Sequence, residues 1–561
     1  MKLCLRPHLF WRGLSVVLLI AFVLNATSSG WQQAIVAPIS ASTLTAAERE
    51  AAASLKADTI RDVTRALASS EMQGRGTAQP GGEKAAQYIA ERFATLGLKP
   101  LGDKGTYLQT IRFKETRVLP ESSLKAGDET LEQGSDFVVS PPYSGEENVS
   151  GYLVFVAYGL ISSTPKRDDL RGVDVKGKIV VLLDGPPKNV SKESWEKADI
   201  RRAIIQNLVN LGAAGLIIAN SGSKERPYPI LADHLMRRRV TLADATEPPT
   251  ALPPFLLVSD EGAEKLFAGS GMTYAEALAR AERGEHVSQN MKKMAKISVR
   301  LQKGKGVGSN VIGLIEGSDQ KLKEQAVIYT AHYDAYGIDL DGRIFHGAAD
   351  NALGVGEVLS IAEAFARSPA RPRRSIVFLI VTGEEYGLLG SEYWIDHPTW
   401  KIKQVAANLN FDGMGTEVYG AVKRIVGFGT EHSELGAVLK DVAAATGNAV
   451  APDPFPEEKI FYRSDHYAFI KKGVPALKLL GIPEGDMTSF VARAKKWRET
   501  DYHQPTDTIR SDWNWDGPRT LAIVGLLVGT RIANADEMPK WLPSSPYNRA
   551  RGTNEPPPPR Q

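Results

Sequence analysis

Polar clusters follow the apolar runs in the second half of the chain, and their residue types are those that hold metal ions and move protons. His332-Tyr333-Asp334 follows Ala326–Thr330, Gly383-Glu384-Glu385 follows Ser375–Thr382, and Asp412-Gly413 follows Val405–Phe411. Tyr502-His503 comes by a longer loop after Pro475–Leu480, and Ala349-Asp350-Asn351 opens the helical stretch Leu353–Ala366. Imidazoles and carboxylates gathered at one place repel and resist ionising, and divalent cations remove that cost. Two His with Asp and Glu, and no Cys, suit zinc with a water-derived ligand. One carboxylate bridging two ions ~3.5–4 Å apart is the arrangement of two-metal hydrolases. The expected site is therefore co-catalytic, with two Zn2+ per chain.

These clusters can converge only if the apolar runs are neighbouring strands. Beyond Ile297, strand and helix patterns alternate, the signature of an α/β fold, and ligands of such sheets bind at the carboxyl ends of the strands. The expected fold class is α/β, with a mixed, mostly parallel central sheet flanked by helices. Upstream, residues 45–70 read as a helix, Gly74-Arg75-Gly76-Thr77 as a turn, and Glu83–Leu96 as a buried-face helix capped by Gly97. Between them and the alternating region lie short β-like runs, Gly151–Ala157, Lys178–Leu183, Gly215–Ala219 and Leu252–Val258, then a charged helical stretch, Tyr274–Lys293. The expected organisation is a signal peptide (1–30), an N-terminal part of the main domain (45–124), a β-rich inserted module (125–285), the main catalytic domain (295–535) and a disordered Pro-rich tail (539–561).

A chain of 561 residues has room for two or three domains at roughly 100–200 residues each. With 43% hydrophobic and 24% charged residues it is neither disordered nor a polytopic membrane protein. The net charge of +3 is supplied by Lys2, Arg6 and Arg12, since no Asp or Glu precedes Glu48. A neutral remainder gives no electrostatic case for nucleic acid, and Arg237-Arg238-Arg239 reads as a solvated loop. The basic start, the apolar run Leu14–Leu24 and the exit Asn25-Ala-Thr-Ser-Ser-Gly30 describe a secretory signal. An uncleaved anchor is the other reading. Either exports the rest, to the periplasm or the extracellular space, and leaves the membrane as a partner only through that segment. The single Cys4 precedes the apolar run, so disulfides, thiol catalysis and cysteine-ligated zinc are excluded from the mature chain.

The strings His332-Tyr-Asp, Gly347-Ala-Ala-Asp350-Asn-Ala-Leu-Gly354, Gly383-Glu-Glu-Tyr-Gly-Leu-Leu-Gly-Ser391, Asn408-Leu-Asn-Phe-Asp412, Arg463-Ser-Asp-His466 and Tyr502-His-Gln-Pro-Thr-Asp507 resemble, in order, the zinc exopeptidases. That family of phosphorylase/hydrolase-like fold includes secreted aminopeptidases, glutamate carboxypeptidases and glutaminyl cyclases. The resemblance implies Asp350 as bridging carboxylate, His332 and Asp412 as ligands of one zinc, and Glu385 and His503 as ligands of the other. It implies Glu384 as general base, Tyr502 as donor to the tetrahedral oxyanion and a cis peptide before Asn351. Asp334 and Asp465 become supports of the ligands, as does His466; His346 and His397 read as surface residues. The implied reaction is release of N-terminal residues from peptide substrates by activated water, with a free α-amino group docked beside the metals.

The strings Gly177-Lys-Ile-Val-Val-Leu-Leu183 and Asn210-Leu-Gly-Ala-Ala-Gly-Leu-Ile-Ile-Ala219 resemble a protease-associated domain, either a substrate-restricting element or a packing lid. Gly172–Ile179 nearly matches a P-loop but has Ile179 where Ser or Thr is required, and Gly304–Gly308 precedes a strand where a dinucleotide loop precedes a helix. Neither G-x-S-x-G nor H-E-x-x-H occurs. The rivals are a carboxypeptidase or dipeptidase with Arg463 in a carboxylate clamp, a glutaminyl cyclase, and a non-catalytic peptide-binding homologue.

Overall fold

The computed structural model describes residues 43–140, 147–163, 166–191, 194–195, 200–222, 227–245 and 253–558. The expected signal segment lies outside them. Among these residues the main sheet is 10-stranded and runs, edge to edge, Arg239–Leu242, Leu108–Val118, Leu301–Ile315, Ser375–Val381, Ala326–His332, Val405–Phe411, Ala476–Pro483, Val422–Phe428 and Ala449–Val450, with Lys99–Pro100 beside Leu301–Ile315. Its four central strands, Ser375–Val381 to Ala476–Pro483, are mutually parallel. Leu301–Ile315 and Val422–Phe428 flank them antiparallel, and the short edge strand Ala449–Val450 pairs parallel again, so the fold is α/β and mixed.

Ala326–His332, Ser375–Val381 and Val405–Phe411 are buried at every position, which is why they read as continuous apolar runs without alternation. One face packs against helices Leu353–Arg367, Ala57–Leu67, Pro80–Thr95 and Asp516–Asn534. Tyr329 stacks on Phe378 with ring centroids 5.5 Å apart in that layer. The other face is covered by Leu389–Asp396 and His466–Lys471, which bring Trp394 and Phe469 onto it. The stretch expected as one helix over 45–70 is two, Ala46–Ser54 and Ala57–Leu67, because Leu55 and Lys56 are extended. Thr45 and Glu48 cap the first reciprocally.

The chain leaves this sheet at Val118 and returns at Leu301, the two strands pairing antiparallel from Leu108↔Val311 to Val118↔Leu301. Between them lies an 8-stranded sheet with its own core around Phe155, Phe267, Val181 and Ile297. Its strands span Ser123 to Val299, so the inserted module is wider than 125–285. The helix expected over Tyr274–Lys293 stops at Glu282, and Gln289–Val299 is a strand whose apolar Met291, Ala295 and Ile297 alternate into the core. Arg239–Leu242 crosses back to pair with Leu108–Val118.

Three further expectations are corrected here. Arg237 and Arg238 are buried, not solvated: Arg238 pairs with Glu115 at 2.9 Å, and Arg237 lies over the rings of Tyr336 and Phe345 at 4.6 and 4.3 Å. The tail from 539 is ordered as far as it is described. Trp541 donates to Gly473 O at 3.0 Å, Tyr547 is buried among Phe461 and Tyr467, and Arg551 donates to Val405 O at 2.9 Å. Those side chains supply the burial that the Pro-rich composition lacks. His346 is not a bare surface residue, since its Nδ1 lies 2.9 Å from Ala68 O.

Arg75 ties the N-terminal helices to the catalytic face. It is 0% exposed, and its guanidinium donates to four carbonyls: Tyr333 O at 2.6 Å, Leu67 O at 2.6 Å, His346 O at 2.7 Å and Gly347 O at 2.7 Å. Burial pushes its pKa down to about 10, so it stays charged at neutral pH. Replacing Arg75 by Met leaves those carbonyls without donors and is expected to cost about 3–5 kcal/mol. Urea unfolding checks this, and Arg75→Lys should recover little because an ammonium cannot span the four acceptors.

Candidate metal centre

The carboxyl ends of the central strands converge on Asp350. His332 ends its strand with Nε2 3.2 Å from Asp350 Oδ1 and 3.5 Å from Asp412 Oδ1. On the other side, His503 Nε2 lies 3.3 Å from Asp350 Oδ2 and 2.9 Å from Glu385 Oε2. His332, Asp350 and Asp412 thus offer one set of donor atoms, and Asp350, Glu385 and His503 a second, each set within 4.8 Å. Asp350 gives one oxygen to each.

Local backbone chemistry puts these atoms there. Gly347 has φ +53°, and a Cβ on it would lie 2.4 Å from Asp350 O, so the approach to Asp350 requires glycine. Asp507 then accepts from the backbone N–H groups of Ala349 and Asp350, both at 3.0 Å, and the Asp350–Asn351 peptide is cis. Gly383, at φ +77°, turns the chain out of its strand so that neighbouring Glu384 and Glu385 take different directions. Glu385 faces His503, whereas Glu384 lines the open cavity and donates its N–H to Asp334 Oδ1 at 3.2 Å. Asp334 also accepts from Thr77 Oγ1 at 2.9 Å. His332 Nδ1 lies 3.2 Å from the Asp334 carbonyl and 3.7 Å from its carboxylate.

The cluster calls for positive charge. Burial opposes protonation of His332 and His503, yet the surrounding carboxylates push His332 well up and His503 to about 9. Burial likewise opposes ionisation of Asp350, but the two imidazoles beside it bring it to about 2. Glu384, with no such partner, is pushed well up by burial. His332 Nε2 has no hydrogen-bond partner although it is buried. Convergent imidazole nitrogens and carboxylate oxygens, one nitrogen orphaned and all short of cations, are a donor set that fits zinc.

Around the donors stands a supporting ring that sequence reasoning only partly identified. Asp412 turns its other oxygen to Ser464 Oγ and, at 2.9 Å, to Lys478 Nζ. Lys478 and His332 hold Asp412 far below the usual carboxylate range despite burial. The available signal was a lysine inside an otherwise apolar strand. Tyr336 reaches His503 Nδ1 at 3.1 Å, and no pattern marked it. Asp465 accepts from Ser391 at 2.6 Å, leaves Oδ2 without a partner and is raised to about 7 by burial. His466, buried with both nitrogens unbonded, is lowered to about 3 by burial and by Lys478. Tyr502 stacks on His503 with centroids 3.6 Å apart, and its hydroxyl receives Arg463 Nη2 at 3.3 Å. Burial keeps that phenol protonated, hence a donor.

Two cavities meet at this centre. The inner one, about 50 Å³, is bordered by Asp350, Glu384, Asp412, Met414, Ile460 and Trp497. The outer one, about 510 Å³, is bordered by Glu385, His503 and Tyr502 and, from the inserted module, by Ile230, His234 and Arg237.

Residues 310–526 match the model of peptidase family M28. Relatives include a vacuolar membrane protease of Clavispora lusitaniae, 29% identical over 171 residues, which are 30% of this chain and 15% of that protein. A vacuolar membrane protease of Candida albicans is 27% identical over 218 residues, 38% of this chain and 22% of its own. The chain thus spans less than a quarter of the length of either. Among solved structures, an aminopeptidase from an Aneurinibacillus species is similar with a TM-score of 0.58, at 18% identity, covering 88% of this chain and 97% of that one. A zinc aminopeptidase from Bacillus subtilis is similar with a TM-score of 0.51, at 19% identity over 84% and 94% of the two chains. At such identities these likenesses speak for the fold, which is the α/β fold described above. Residues 310–526, the stretch that matches the peptidase family M28 model, hold every donor of the metal centre.

Proposed function

We propose that the chain is an exported zinc aminopeptidase that releases N-terminal residues from peptides by means of two zinc ions. What carries this is Asp350, whose two oxygens face His332 and His503 from a shared position between two donor sets. His332, Asp350 and Asp412 would hold one ion, and Asp350, Glu385 and His503 the other. Bound zinc supplies Lewis acidity, which polarises a carbonyl oxygen and acidifies water.

The chain's own groups do the rest. Glu384, next to a ligand but turned into the cavity, accepts the proton of the attacking water and delivers it to the leaving amine. Asp334 fixes the turn that carries it, through the Glu384 N–H. The Tyr502 phenol donates to the oxyanion as charge develops, held by its stacking on His503. The carboxylates around the centre face the substrate's α-amino group. The 8-stranded module is read as a protease-associated insertion, and its helix Tyr228–Met236 forms one wall of the outer cavity. Export is inferred from the basic and apolar N-terminal segment. No helix among the described residues is long and apolar enough to cross a membrane.

Zinc-loaded protein incubated with unblocked peptides should release residues stepwise from the N-terminus, as read by mass spectrometry. Glu384→Gln should retain its metal and lose roughly a hundred- to ten-thousand-fold in kcat; unchanged turnover would remove the base assignment. Asp350→Ala should lower the metal content of both sites, measured by plasma mass spectrometry after desalting. Lys478→Met removes the ammonium that holds the second oxygen of Asp412, so chelator-stripped protein should bind zinc roughly ten- to a hundredfold more weakly in calorimetry.

A further inference from the structure

Two guanidinium groups stand where the inner and outer cavities join, and neither is needed to hold a metal. Arg463 and Arg498 border both cavities, together with Glu458 and Tyr502. Glu458 is shared between them: Arg498 Nη2 pairs with its Oε1, and Arg463 Nη1 lies 3.4 Å from its Oε2. Arg463 gives its other terminal nitrogen to the Tyr502 hydroxyl at 3.3 Å. Arg498 Nη1 is buried and has no hydrogen-bond partner. The third cation of the inner cavity, Lys478, is taken up by Asp412 at 2.9 Å. Glu458 is thus divided between two guanidiniums, and the Arg498 fork carries a free donor at the edge of the cavity that holds Asp350 and Glu384.

We propose that Arg498, with Arg463, reads a carboxylate of the substrate. The inference deepens the aminopeptidase reading and rests on it. A planar guanidinium with an unused N–H is built for an anionic oxygen pair; an amide offers it one acceptor without the charge, and an apolar ligand leaves the buried donor unsatisfied. Both arginines border the inner cavity beside Asp350 and Asp412, where the side chain of a substrate's first residue would lie. Met414, Ile460 and Trp497 offer apolar contact to the methylenes of such a side chain. Because both arginines also border the outer cavity, the same chemistry could come from the C-terminal carboxylate of a short peptide lying there.

The test uses the zinc-loaded full chain and peptides Glu-Ala-Ala-amide, Gln-Ala-Ala-amide, Leu-Ala-amide and Leu-Ala with a free carboxylate. A kcat/KM about tenfold higher for Glu than for its neutral isostere Gln assigns the side chain as the source. A similar excess of Leu-Ala over Leu-Ala-amide, with Glu and Gln equal, assigns the C-terminus. In either case Arg498→Met should bring the ratio to within about threefold of unity, chiefly through KM, and Arg498→Lys should recover part of it. Both ratios near unity in the wild type, or a ratio untouched by Arg498→Met, would overturn the proposal. Calorimetric binding of the same peptides to Glu384→Gln reads the subsite without turnover. A Glu-over-Gln or acid-over-amide preference in binding, without any hydrolysis by the wild type, would keep the subsite and sink the peptidase reading.

Discussion

The structure is organised around the cost of crowding carboxylates out of water. Asp334, Asp350, Glu384, Glu385, Asp412, Asp465 and Asp507 come together at one end of the parallel strands, and six of these seven are at most marginally solvated or fully buried. Like charges at such density cannot all ionise without compensation. The protein meets the cost in three ways: imidazoles and Lys478 pair with some of them, backbone N–H groups bond others, and Arg75 lends its field from beneath. What remains uncompensated is concentrated around Asp350, where a divalent cation is the cheapest counterweight. Glycine turns, the parallel strand ends and the long-range arginine strut all serve that concentration.

The donors themselves were legible because they fall in the polar clusters that follow an apolar strand or open a helix. That rule located His332, Asp350, Glu385 and Asp412, and the Tyr502-His503 pair followed from the resemblance of its string. The helices Pro80–Thr95 and Leu353–Arg367 were equally plain, since their apolar spacing is helical and their ends carry Gly97 or run out at Ser368. The groups that hold the donors were not legible. Arg75 lies in a Gly-rich turn and Thr77 two residues on, and nothing local shows that both fold under residues some 260 positions away. Arg237 and Arg238 looked solvated because burial of a cation depends on partners, here Glu115 and the rings of Tyr336 and Phe345, that the local sequence does not contain. The tail misled for the converse reason: its prolines argued against a core, while three widely spaced side chains, Trp541, Tyr547 and Arg551, dock it.

The inserted module bears on the centre through few atoms. Arg237 stacks on Tyr336, and the Tyr336 hydroxyl meets His503, so a residue of the second sheet's neighbourhood is two contacts from a metal donor. Cation–π contact is modest in energy, about 0.5–2 kcal/mol, but here it seats a side chain that fixes the orientation of an imidazole. The wall formed by Ile230 and His234 and the orientation of His503 are therefore set by the same short segment. Shape of the cleft and geometry of the donors are mechanically linked.

The pairing of Leu108–Val118 with Leu301–Ile315 has a consequence for the order of events during synthesis. The first of these strands leaves the ribosome long before its partner, with roughly 180 residues of module between them, and the loop to be closed makes that contact late and slow. Until then its exposed edge is satisfied by nothing from the main sheet except Arg239–Leu242, which arrives earlier and pairs along the opposite side. That short strand covers one edge of Leu108–Val118 and leaves the other open until Leu301–Ile315 arrives. The same crossing that brings arginines to the cleft in the finished molecule thus closes half of an open edge in the growing one.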